Sequence, residues 1–246
     1  MSLQLNCDLG ESFGSWKMGL DDAAMPHIDL ANIACGFHAG DPLVMQHTLS
    51  LAKQNNVTIG AHPGYPDLAG FGRRSIKTSA AELKAMLLYQ IAAIDGMAST
   101  LGLTLEYVKP HGAMYNDMMA DTAMRETVMA AISSYHRPLI LMLQSTPEAE
   151  QHEQEAQEAG IHLWFEVFAD RCYADDGKLL ARSQAGAVHR TEKMLSQVKQ
   201  LKEHGTITTV SGKTLRLRAD TLCVHGDNMD GVNAIQQIRE LIKSCV

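Results

Sequence analysis

Apolar residues fall along this chain in two patterns. Short dense blocks occupy 3–7 (LQLNC), 28–35 (IDLANIAC), 57–61 (VTIGA), 105–109 (LEYVK), 138–143 (PLILML), 161–168 (IHLWFEVF) and 221–225 (TLCVH). Several of these blocks are almost continuously hydrophobic, as parallel strands covered on both faces are. Between them apolar residues recur every three or four positions, the period of a helix with one buried face. Leu83, Met86, Leu87, Ile94, Met97 and Leu101 form one such stripe, Met194, Val198 and Leu201 a second, and Val232, Ile235, Ile238 and Ile242 a third.

The helices carry their own punctuation. Asp41-Pro42 supplies a capping carboxylate and then a proline at the first helical position. Ser79 to Glu82 has the spacing of a capping box. Thr146-Pro147 repeats the cap-then-proline pattern, and Gly205 marks a helix stop after His204. One strand per helix implies a parallel sheet. Seven such units suit a closed (β/α) barrel better than an open sheet, in one domain spanning residues 1–246. Residues 206–218 alternate apolar and polar around Ser211-Gly212, which predicts a β-hairpin inserted before the last strand.

The polar groups add a positional signal, because most strand blocks end in chemistry. The first runs into Asp8 and Glu11, the second into His38 and Asp41, and the third delivers His62. The fourth ends in Lys109 and His111, the sixth carries Glu166 with Asp170 and Arg171 behind it, and the seventh ends in His225 and Asp227. In a parallel α/β fold the C-terminal strand ends share one mouth, and active sites gather there. Glycine and proline flank these groups in GFHAG, AHPG, KPHG and HGD, letting backbone approach a ligand closely. A single strand-end histidine is more often structural; four histidines, a lysine and several carboxylates at such ends argue for one pocket. His27, His47, His136, His152, His162, His189 and His204 lie elsewhere and receive no role.

Composition narrows the chemistry. A formal charge of −7 with scattered Lys and Arg excludes a nucleic-acid face. No apolar run reaches membrane-spanning length, and the first strand leaves no room for a signal peptide, so a cytoplasmic protein is expected. The five cysteines form no CxxC pair, and Cys7, Cys35 and Cys223, in apolar strand-like runs, read as buried, reduced thiols. SGKT at 211–214 imitates the end of a P-loop, but the glycine required five residues before Gly212 is Ile207. No local zinc motif is present. Asp8, His38 and His62 leave room for a divalent metal assembled across strands.

The motifs NCDLGES, NIACGFHAGD, GAHPGYPDLAGFGRR, VKPHGAMYN, EVFADRCYADDGKLLAR and CVHGD, in this order from Asn6 to Asp227, resemble the LamB/YcsF family. The resemblance implies a (β/α) barrel related to glycoside hydrolases and polysaccharide deacetylases. It also implies a reaction, the ATP-driven opening of the lactam 5-oxoproline to glutamate, in which the family member works with two partners, the 5-oxoprolinase B and C subunits. Carried over, the expected catalytic residues are Asp8, Glu11, His38, His62, Lys109, His111 and Glu166. Asp41, Asp170, Arg171, His225 and Asp227 are expected to bind substrate. Asp8 or Glu166 would be the base, Lys109 the oxyanion partner, His38 or His62 the proton donor and Arg171 the clamp on the substrate carboxylate. ATP is expected mainly on the partner subunits. Two other readings stand beside this one: a metal-dependent, deacetylase-like amidohydrolase, and a non-catalytic subunit that binds a lactam or sugar. The chain departs from the family pattern at Ser12, where glycine is usual, and at GAVHRTE, where GAVI is usual.

Overall fold

The structure is a computed structural model describing residues 3–182, 184–224 and 229–243. Seven parallel strands close into a barrel: β1 (Gln4–Leu9), β2 (Leu30–Ala34), β3 (Thr58–His62), β4 (Leu105–Val108), β5 (Ile140–Gln144), β6 (His162–Phe168) and, after a hairpin of β7 (Thr206–Thr208) and β8 (Thr214–Arg216), β9 (Thr221–Cys223). Strand β9 pairs with both β1 and β6, which closes the ring. The helices are α1 (Asp21–Ala24), α2 (Pro42–Asn55), α3 (Ala80–Thr100), α4 (Gly112–Ala120), α5 (Thr122–Ser133), α6 (Ala149–Ala159), α7 (Thr191–His204) and α8 (Met229–Lys243). Among the described residues, no helix is long and apolar enough to cross a membrane.

Strand alternation sorts side chains between two environments. Leu5, Cys7 and Leu9 of β1, Ala31 and Ile33 of β2, and Ile59 and Ala61 of β3 join the large core under the helices. The intervening residues face the barrel interior. Leu30, Tyr107 and Met142, with Ile140 and Trp164, form a separate apolar plug. Two residues further along the same strands the interior turns polar, through Asn32, Lys109 and Gln144. The Tyr107 hydroxyl donates to Asn32 Oδ1 at 2.6 Å, so one ring belongs to the plug and touches the polar layer. Gly60 makes room for it: a Cβ there would lie 2.2 Å from the ring.

Most of the local signals act as read. Asp41 accepts from the N–H groups of Leu43 and Val44, and Ser79 with Glu82 forms the full capping box. Gly205 ends α7 at φ +64°. The hairpin forms with Thr206 paired to Arg216. Cys7, Cys35 and Cys223 are buried thiols, and the structure adds Cys172 to them. Thr146-Pro147 differs: α6 starts at Ala149, and Thr146 Oγ1 accepts from Glu148 N at 3.2 Å in the turn before it. Pro147 instead packs on Gly177, where a Cβ would meet its ring at 2.5 Å. At Ser12, the hydroxyl closes a local loop with the N–H and carbonyl of Met18, both at 3.0 Å.

Candidate active site

The C-terminal strand ends surround a cavity of about 480 Å³, lined by Asp8, Glu11, His62, Lys109, His111 and Arg171 among others. At its floor, Lys109 Nζ lies 2.9 Å from Asp8 Oδ1 and 2.7 Å from Glu166 Oε1. The ammonium and both carboxylates are largely or wholly buried. Burial by itself would discharge Lys109, but the charges of Asp8 and Glu166 outweigh it and hold its pKa well above the ordinary lysine value. Cys223 Sγ lies 3.4 Å from the ammonium. Burial pushes that thiol up, so it is neutral at pH 7 and contributes a contact rather than a charge.

The triad rests on hydrogen bonds from the polar layer. Asn32 Nδ2 donates to Asp8 Oδ1 at 2.7 Å and to Asn6 Oδ1 at 2.8 Å. Asn6 in turn donates to Thr221 Oγ1 at 2.7 Å. On the other side, the Tyr115 hydroxyl donates to Glu166 Oε2 at 2.9 Å. Glu166 is fully buried and does not line the cavity, whereas Asp8 does.

Beside Asp8 the imidazoles of His38, His62 and His111 form a second cluster. His38 stacks on His111 with ring centroids 3.7 Å apart, and His62 meets both edge-on. Glu11 Oε1 lies 3.5 Å from His38 Nε2 and 3.6 Å from His111 Nδ1. Burial, then the neighbouring His62, holds His38 well below the usual imidazole range; burial with His38 and His62 does the same to His111. Both rings are therefore neutral at pH 7. One atom from each of Glu11, His38, His62 and His111 lies within 4.8 Å of the others, a donor set that suits a divalent metal.

Local chain geometry holds the cluster in place. Phe71 adopts φ +55°, uncommon for a bulky residue, and its carbonyl accepts from His111 Nε2 at 2.9 Å. Gly72 follows at φ +61°, and a Cβ there would sit 2.7 Å from His38 Cβ and 2.8 Å from His111 Cδ2.

The other expected residues separate. Arg171 lines the cavity, with Nε donating to Ala187 O at 3.4 Å and Nη2 donating to Leu180 O. Asp170 is buried and does not line the cavity. His225 and Asp227 lie outside the described residues. Asp41 is not on the cavity wall; its carboxylate caps α2 and accepts from Gly14 N at 2.8 Å. The Gly14 and Val44 N–H groups hold that carboxyl below the usual carboxylate range. Replacing Asp41 with Ala is therefore expected to cost up to about 1 kcal/mol at pH 7 after solvent screening, with substrate KM unchanged. The contribution is present above the unfolded carboxylate's pKa, about 4, and is lost as pH falls through the lower folded value. Denaturant unfolding at pH 7 and pH 3 checks the sign: the gap between the two proteins should narrow in acid.

Tyr115, Asn6, Asn32, Phe71 and Arg73 escaped the sequence reading, although Tyr115, Phe71 and Arg73 also line the cavity. Two had a usable signal. Asn6 sits two residues before Asp8 on β1, hence on the same face, and Tyr115 sits four after His111 at the start of α4. The SGKT stretch has a structural role: it forms the hairpin turn, and the Ser211 hydroxyl donates to Asp175.

Fold and site together define a TIM-like barrel whose C-terminal mouth gathers carboxylates, imidazoles and a lysine around one cavity. The chain belongs to the LamB/YcsF family, whose model matches residues 3–245. It is 52% identical over 241 residues to the second of the 5-oxoprolinase A subunits of Pseudomonas putida, covering 98% of this chain and 93% of that one. It is 49% identical to the 5-oxoprolinase A subunit of Vibrio parahaemolyticus, covering 98% and 96%. Among solved structures, a lactam utilization protein from Thermus thermophilus superposes with a TM-score of 0.89 at 36% identity, covering 98% of this chain and 96% of that one.

Proposed function

We propose that this chain is the A subunit of an ATP-dependent 5-oxoprolinase and carries the lactam-opening site. The observation that carries this reading is the buried Asp8–Lys109–Glu166 triad at the cavity floor. Opening an unactivated cyclic amide needs a base for water, charge stabilisation at the carbonyl oxygen and a proton for the leaving nitrogen. Asp8 is the base, because its carboxylate lines the cavity and Glu166 does not. It takes a proton from water as the oxygen adds to the carbonyl carbon. It then returns that proton to the ring nitrogen as the C–N bond breaks. Lys109 stabilises the developing oxyanion, or a phosphoryl group placed on that oxygen. Glu166, anchored by Tyr115, keeps Lys109 charged and aimed. Arg171 pairs with the substrate carboxylate through donors not committed to Leu180 and Ala187.

The expected histidine donor gives way to Asp8 on this reading. His62 Nδ1 lies 2.7 Å from Lys109 O, so its hydrogen points away from the cavity, and His38 is fully buried. The lactam is activated by transfer of the γ-phosphoryl group of ATP to its carbonyl oxygen, which releases ADP, with the nucleotide held mainly on the B and C subunits. After the C–N bond breaks, the phosphoryl group remains as an acyl phosphate, and its hydrolysis releases phosphate and glutamate. The chain mixed with B and C subunits, ATP and 5-oxoproline should release glutamate, and the chain alone should not. Turnover without partners overturns the division of labour; no glutamate from the full set overturns the reading. The imidazole cluster favours a second reading, a metal-dependent amidohydrolase working without ATP. Amide hydrolysis by the isolated chain that chelation abolishes would select it.

A further inference from the structure

We propose that Glu11, His38, His62 and His111 bind one divalent transition-metal ion, their ligand atoms turned toward a common point by the backbone around them. The proposal stands apart from the lactam reading and rests on where the ring hydrogens must be. His62 Nδ1 is 2.7 Å from the Lys109 carbonyl oxygen, and His111 Nε2 is 2.9 Å from that of Phe71. A carbonyl oxygen accepts only, so each of these nitrogens carries hydrogen. The opposite nitrogens, His62 Nε2 and His111 Nδ1, then face each other at 3.0 Å with two lone pairs. Lone pairs so placed repel unless a cation or a proton lies beside both.

Two further observations select the cation. His38 is fully buried, and among the described residues neither ring nitrogen has a hydrogen-bond partner. Leaving such a polar group unsatisfied costs about 1–3 kcal/mol. Its Nε2 is 3.5 Å from Glu11 Oε1, and that same oxygen is 3.6 Å from His111 Nδ1. Three imidazole nitrogens and a carboxylate oxygen thus surround one point. Bonds of about 2.0–2.2 Å to a central ion space its ligands roughly 3–4 Å apart; the pairs at 3.0, 3.5 and 3.6 Å already fit, and the widest, within 4.8 Å, must close by about 1 Å. Imidazole-rich sets favour Zn²⁺, Co²⁺, Ni²⁺ or Fe²⁺ over Mg²⁺. The carbonyls of Lys109 and Phe71 act as the outer partners that fix ligating histidines in one tautomer.

Asp8 lies at the border of this site rather than in the ligand set. Its Oδ2 is 3.4 Å from His62 Nε2, but Oδ1 accepts from Lys109 and Asn32. The ligand set therefore differs from the Asp8, His38 and His62 trio that strand ends alone suggest. When bound, such an ion supplies Lewis acidity beside the Asp8 carboxylate.

The test needs neither substrate nor partner. Full-length chain stripped with a chelator is titrated with Zn²⁺ by calorimetry and with Co²⁺ by visible absorption. One equivalent per chain, ligand-field bands and a raised Tm are expected. Glu11→Gln and His111→Ala should each weaken binding at least tenfold, while Asp8→Asn keeps one equivalent. Circular dichroism of each variant separates lost ligation from lost fold. The proposal is overturned if wild-type chain takes up no stoichiometric metal, which would leave a proton shared by His62 and His111. It is also overturned if Asp8→Asn abolishes uptake and Glu11→Gln does not.

Discussion

Replacing Lys109 with Met is expected to destabilise the fold by about 3–5 kcal/mol and to abolish glutamate release in the reconstituted complex. The ammonium is the shared partner of Asp8 and Glu166, and all three groups lie in the barrel interior. Removing one member of a buried ion cluster leaves the others in low dielectric without compensation. The loss in kcat should be at least about 10²-fold, the usual effect of deleting one oxyanion donor. A triple variant, Asp8→Asn with Lys109→Met and Glu166→Gln, removes the stranded charges together. It should recover much of the stability and none of the activity. Urea unfolding of the three proteins, with glutamate assays alongside, separates the electrostatic from the catalytic role. Wild-type stability in Lys109→Met would show that the triad does not hold the barrel mouth together.

Gly72→Ala is expected to cost about 2–5 kcal/mol and to disorganise the imidazole cluster. Two penalties combine there. A left-handed backbone costs an L-residue roughly 1–2 kcal/mol, and overpacking typically adds about 1–3 kcal/mol. The added Cβ would press on both His38 and His111, whose rings are already stacked. Gly72 also offers its carbonyl to Ala113 N at 2.9 Å, so a shift would reach α4 and the glutamate anchor Tyr115. Gly102→Ala is the control: it has φ +72° with nothing within 4 Å of an added Cβ, so it carries the backbone penalty alone. Equal stability losses in the two variants, from thermal or urea unfolding, would refute the steric argument.

These effects would be invisible to a reading of periodicity, and the reason is instructive at Asp41 and Asp8. Both are aspartates close behind an apolar block, and their sequence contexts do not distinguish a cap from a catalytic base. Asp41 is followed by proline and a helix, and its carboxylate turns to the N–H groups of Leu43 and Val44. Asp8 is two residues from Asn6 on a strand, and β1 turns both inward to meet Lys109, 101 residues away from Asp8. The α6 start shows the same limit. Thr146-Pro147 has the local form of a helix entry, but Pro147 is held against Gly177 and the helix waits until Ala149.

What the sequence alone determined is what depends on local period and punctuation. The seven strands, their parallel order, the hairpin, the capped helices and the gathering of acids, imidazoles and Lys109 at strand ends follow from alternation, helical stripes and turn residues. What only the tertiary structure decided is which of those groups touch. Closure of β9 onto β1 brings Cys223 and Asn6 into register, and the interior positions then stack into an apolar plug below a charged floor. Ring hydrogens were set there too, by the carbonyls of Lys109 and Phe71. Such contacts join residues tens to hundreds of positions apart, and a one-dimensional pattern holds no distance between them.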